Sequence, residues 1–152
     1  MPTQLDGLQT EEKQLIFDAI PLVTILIAGS DGKIDTREVE WAAKLTTIRG
    51  YKESAALSDL YKKVGETFEE RLKDLIEKLP GRTETRQQEI SEELAKLNIV
   101  LPKIDSWYAK LYYESLLSLA KHVAEASGGI LGFMTIDSKE SDLIELAMIN
   151  KL

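Results

Sequence analysis

Cysteine is missing from all 152 residues, which removes a disulfide framework, a zinc-thiolate centre and a cysteine nucleophile from consideration. Histidine occurs once, at His122, so neither a histidine-based zinc site nor a catalytic His/Cys set can be assembled, and the chain is not expected to be an enzyme. Long apolar runs are lacking as well. The longest, residues 19–28, is interrupted only by Pro21 and Thr24 but is too short to span a bilayer. The opening residues MPTQLDGLQTEEK have neither the basic start nor the apolar stretch of a signal peptide, so no transmembrane segment and a cytoplasmic location are expected. Basic clusters are absent too. With 26 acidic against 19 basic side chains the formal charge is -7, a surface that repels phosphate backbones, and nucleic acid is not an expected partner.

Alternating strand patterns bounded by turn residues are nearly absent, whereas apolar residues recur at spacings of three and four along most of the chain. That periodicity predicts an all-α fold, a helical bundle of about six to seven helices in a single domain spanning residues 1–152. A chain of this length can bury roughly 68 to 70% of its unfolded surface and needs no cross-links.

A first helix is predicted to start near Thr10, where Glu11 and Glu12 suit the positive end of its dipole, and to run to Ala28. Pro21 removes one amide donor from its interior and should kink it. The uncharged second half, residues 19–28, should be enclosed on most sides. A second helix is predicted after Asp35, ending near Arg49 ahead of Gly50. From Leu57 the apolar series Leu57, Tyr61, Val64, Phe68, Leu72, Leu75 and Leu79 keeps helical phase through Gly65. It predicts one long helix, bent at the glycine and stopped by Pro80 and Gly81. The next helix is predicted from about Glu84 with Thr83 as cap, burying Ile90, Leu94, Leu97 and Leu101 before Pro102 closes it. Asp105 or Ser106 should cap a helix running to about Ser127, whose one polar stripe is Lys110, Glu114, Ser118, Lys121 and Glu125. So narrow a wet stripe predicts the central helix of the bundle. A last helix is predicted over residues 138–150.

The chain also echoes itself. AGSDGKIDTREVE at the end of the first helix and EASGGILGFMTIDSKESD at the end of the predicted central helix both read as helix, glycine turn, Ile-Asp-x-x-Glu, helix. A pseudo-repeated helix-loop-helix pair would account for the echo.

The first of these runs carries the most chemistry. With Gly32 set at the sixth place of a calcium-binding EF-hand loop, Asp31 falls fifth, Ile34 eighth, Asp35 ninth and Glu38 twelfth, which are the positions of an oxygen ligand, an apolar anchor, a water-bridging acid and a bidentate glutamate. The first half of such a loop is missing, because its first and third places fall on Ile27 and Gly29. A hard cation seeking six to eight oxygens must then draw on backbone carbonyls, water or other parts of the fold. The same residues also make an ordinary helix start: Asp35-x-x-Glu38 is a capping box and Asp31-Gly32 a turn signal. That second account applies equally to Asp137-x-x-Glu140, where Gly128 and Gly129 replace Asp31 and Gly32.

The run Ala-x-x-Asp-Gly-x-Ile-Asp-x-x-Glu over residues 28–38, followed by Ser127-Gly128-Gly129 and by Ile136-Asp137-Ser138-Lys139-Glu140, resembles the TerB-like family, named for tellurite-resistance proteins. The resemblance spans most of the chain and rests on these two motifs and their separation. It implies an all-helical fold with a repeated helix pair, and a centre for a divalent cation, calcium or magnesium, built from Asp31, Asp35, Glu38, Asp137 and Glu140. It further implies a non-catalytic module acting through protein partners in a stress or metal-resistance response. The second motif departs from the family pattern in lacking its own Asp-Gly.

Other features point less far. The glycine-rich stretch 128–132 lacks the Lys-Ser or Lys-Thr of a phosphate loop, and Ile130, Leu131, Phe133 and Met134 around it are expected either to tuck a 128–135 loop against the core or to present a docking patch. His122 lies beside the wet stripe and reads as a surface residue, no Glu-x-x-His pair of a di-iron bundle occurs, and Trp41 and Trp107 fall at apolar helical phase and read as core. Two rival classes stand beside the cation-binding module. One is an interaction module in which both Asp-x-x-Glu units are only caps. The other is a metal-dependent hydrolase, which would need an open coordination position for water.

Overall fold

The computed structural model describes residues 3–28, 44, 55–135 and 145–152, and of 126–135 the backbone alone. Its described residues form a 3-10 turn at Thr3–Leu5, helices α1 (Thr10–Ala28), α2 (Ala55–Lys78), α3 (Thr83–Ala95) and α4 (Leu97–Val100), a second 3-10 turn at Leu101–Lys103, and α5 (Ser106–Thr135). No strand occurs among them. Four of these helices exceed one turn and α4 is a single turn; the expected six to seven is not reached among the described residues. The predicted second helix lies outside them except for Lys44, which is helical and exposed. No helix among the described residues is long and apolar enough to cross a membrane.

α1 begins as its sequence dictates. The Glu12 carboxylate reaches back to accept from the Gln9 amide at 2.9 Å, one half of a capping box that satisfies an otherwise orphaned donor. The helix is continuous through Pro21, which leaves the Phe17 carbonyl without its i+4 amide donor. From Ala19 onward every residue of α1 is buried, and Thr24, the one hydroxyl there, turns back to donate to the Ile20 carbonyl at 3.0 Å. Enclosure on all sides needs neighbours on all sides, and α1 packs against α2, α3, α4 and α5. The central helix is therefore α1. The sequence pattern assigned that place to α5, yet α5 retains its wet stripe, with Lys110, Glu114, Lys121 and Glu125 exposed, and the second half of α1 has none.

α2 bends at Thr67, which takes φ -126 and ψ 15, and not at Gly65. A β-branched residue accommodates that φ readily, and the bend falls between Val64 and Phe68, both buried. α3 starts one residue earlier than predicted: Arg82 is the N-cap, without a side-chain cap bond, and Thr83 is already helical. Ile90, Leu94, Leu97 and Leu101 are buried as their spacing predicts. Arg86, one turn ahead of Ile90, joins them at 6% exposure, its guanidinium 3.5 Å from the Gly81 carbonyl.

At the head of α5 the Asp105 carboxylate accepts from the Tyr108 amide at 2.9 Å, so Asp105 is the cap. The far end differs from expectation. The helix passes Ser127 and continues to Thr135, so residues 128–135 are helical and the glycine turn expected at the second half of the pseudo-repeat is not formed there. Three glycines, Gly128, Gly129 and Gly132, weaken a helix by ~1 kcal/mol each relative to alanine, but Ile130, Leu131 and Met134 stay in helical phase with Val123. Propensity yields to periodicity here. Trp107 is 61% exposed, a correction to its reading as core; Trp41 lies outside the described residues.

The final described stretch, residues 145–152, is not the end of the predicted last helix but a strap of turns. Leu146 sits at φ 50, a left-handed conformation that a helix cannot incorporate and that a leucine adopts at some strain. Its side chain is fully buried and that of Ile149 is 2% exposed. Asn98 of α4 holds the strap from both sides, donating to the Met148 carbonyl at 3.0 Å and accepting from the Asn150 amide at 2.7 Å.

Candidate functional site

Asp31, Asp35, Glu38, Asp137 and Glu140, the five carboxylates implied as cation ligands, lie outside the described residues. Their nearest described neighbours are the ends of α1 and α5. These two helices start side by side. Lys103, just ahead of α5, meets Glu12 in the first turn of α1 at 2.6 Å, and one turn further the Tyr112 hydroxyl donates to the Ile16 carbonyl at 2.7 Å. The first helix packs along the one that precedes the second motif. Among the described residues no group of three or more His, Asp or Glu side chains could hold a metal ion.

What the described residues do bring together is a polar seam through the apolar core where α1, α2 and α5 meet. Tyr61 of α2 donates to the Ser115 hydroxyl of α5 at 2.9 Å, and Ser115 donates in turn to the Tyr112 carbonyl at 2.7 Å. Tyr112 continues the chain to α1 through Ile16, one residue before the carbonyl that Pro21 frees. Tyr61, Tyr108 and Tyr112 are each fully buried. The Tyr108 hydroxyl has no hydrogen-bond partner among the described residues. Burial, with Asp59 and Tyr61 nearby as secondary causes, pushes its pKa up to about 12. Burial likewise raises Tyr112 well above the usual tyrosine range, with Tyr61, Tyr108 and Asp18 adding to it. At neutral pH Tyr108 and Tyr112 are therefore protonated.

At the edge of the seam Arg71 of α2 grips Asp18 of α1 in a two-pronged pair, Nε to Oδ1 at 2.8 Å and Nη2 to Oδ2 at 2.7 Å. Gln14 adds a third donor to the same carboxylate at 2.9 Å. The Asp18 bond raises the guanidinium further above its already high range. Glu12 is held below the usual carboxylate range, first by its bond to Lys103 and then by the Gln9 amide. His122 is exposed and its Nδ1 donates to the Ser118 carbonyl at 2.8 Å, as a surface residue would.

Three features escaped the sequence reading. Asn98 lies inside LNIV, where nothing in its neighbours signals a backbone clamp. Arg86 occupies the position one turn before Ile90, and helical phase alone could have placed it inside. Trp107 heads the series 107, 110, 114, 118, 121 and 125, the wet stripe itself, so its exposure was legible from spacing. No family model matches the chain, and no curated protein or solved structure proves similar to it.

Proposed function

We propose that the chain is a non-catalytic helical module that binds a divalent cation, calcium or magnesium, through the acidic loop following α1, and acts through protein partners as the TerB-like resemblance implies. Asp31, Asp35 and Glu38 are the ligands at the heart of the proposal. The observation that carries it is the burial of α1 to its last turn: Ile25 to Ala28 are each no more than 3% exposed, and Ala28 stands three residues ahead of Asp31. A helix end held this firmly is a rigid support for a loop site. The C-terminal end of a helix carries the negative end of its dipole, which favours a cation, and backbone carbonyls there would supply the oxygens that the side chains of Ile27 and Gly29 cannot. Asp137 and Glu140 join the site less directly. α5 continues eight residues past Ser127, which carries its end ~12 Å further along the helix axis.

The alternative is an interaction module in which both Asp-x-x-Glu units are only caps, and Ile99 at 67% and Trp107 at 61% exposure are large apolar side chains it could present to a partner.

Melting the protein with and without metal separates the two. Free cation at a hundredfold above its dissociation constant stabilises by ~2.7 kcal/mol, or a rise of ~5 to 10 °C for a domain of this size. Asp31→Asn retains the turn but removes a charged oxygen, and should abolish most of that rise while leaving the metal-free melting temperature unchanged or slightly higher. A wild-type protein indifferent to millimolar calcium, magnesium and manganese would leave the interaction module as the better account.

A further inference from the structure

We draw no further inference here: the strongest candidate, the apolar surface presented by Ile99 of α4 and Trp107 at the head of α5, carries none, because Lys96 and Lys103 of the same stretch are already engaged by Glu93 and Glu12 and nothing in the structure shows what covers it.

Discussion

Tyr108 and Tyr112 lie one turn apart on α5, are both fully buried, and should respond to loss of the hydroxyl with opposite sign. In Tyr108→Phe the group removed is one without a partner among the described residues. Keeping such a hydroxyl away from water costs roughly 1 to 3 kcal/mol. Its removal leaves a void of about one oxygen, on the order of 10 to 15 Å³, and at ~24 cal/mol per Å³ that void costs only ~0.3 kcal/mol. The variant should therefore gain ~0.7 to 2.7 kcal/mol, a melting rise of ~1 to 11 °C. Tyr112→Phe removes a 2.7 Å bond to the Ile16 carbonyl, an acceptor that remains within a helix, and should lose ~0.5 to 1.5 kcal/mol. Urea unfolding followed by circular dichroism resolves both changes. A Tyr108→Phe protein destabilised by as much as Tyr112→Phe would refute the reasoning, since it would mean that the Tyr108 hydroxyl is hydrogen-bonded after all.

Gly65 neither bends α2 nor meets any neighbour, since a Cβ added there would find nothing within 4 Å; Gly65→Ala should raise stability by ~0.5 to 1 kcal/mol in a denaturant titration. The Asp18–Arg71 pair is largely shielded on its acidic side, with Asp18 at 13% and Arg71 at 33% side-chain exposure. Arg71→Met should cost ~1 to 3 kcal/mol by leaving the carboxylate with fewer charged donors, and added salt should restore little of it, because the carboxylate it strands is mostly out of solvent. In alkali the sign follows from the raised tyrosines, which are neutral when protonated. Below pH 10 folded and unfolded chains bind the same phenolic protons, and as pH rises from 10 toward about 12, where Tyr108 titrates in the fold, only the unfolded chain releases them. Stability should be intact below pH 10 and fall above it, by on the order of 2 to 3 kcal/mol from Tyr108. Tyrosinate absorbance appearing in the buried set near pH 10 without loss of helix would contradict that.

The helical class and the bounds of α1 were readable because its signals agree: acidic residues at the start, an uncharged run at the end, and no competing turn residue except Pro21. α5 was misread at its end because Gly128 and Gly129 argue locally for a turn, whereas the apolar spacing beyond them argues for continuation, and no local rule weighs one against the other. Register errors arose where a residue type outweighed its phase. Trp107 was placed inside for being a tryptophan, although its position belongs to the wet stripe. The strap was out of reach for a different reason: the left-handed Leu146 and the grip of Asn98 span some fifty residues of sequence, and nothing within either segment announces the other. Of the candidate cation site, residue types and spacing could be read. Its remaining oxygens, if drawn from backbone carbonyls, leave no trace in side-chain identity.

The burial of α1 on every side also has a consequence during synthesis. Residues 22–28, LVTILIA, carry no charge and no proline and are rich in β-branched side chains, the composition of a segment prone to intermolecular β-pairing when exposed. Roughly 80 residues separate the end of α1 from the start of α5. At ~5 to 20 residues per second the ribosome takes on the order of 4 to 16 s to deliver that partner. For that interval the most apolar helix among the described residues has no complete shelter, so the nascent chain should be a strong chaperone client, and production at low temperature or with added holdase should improve its soluble yield.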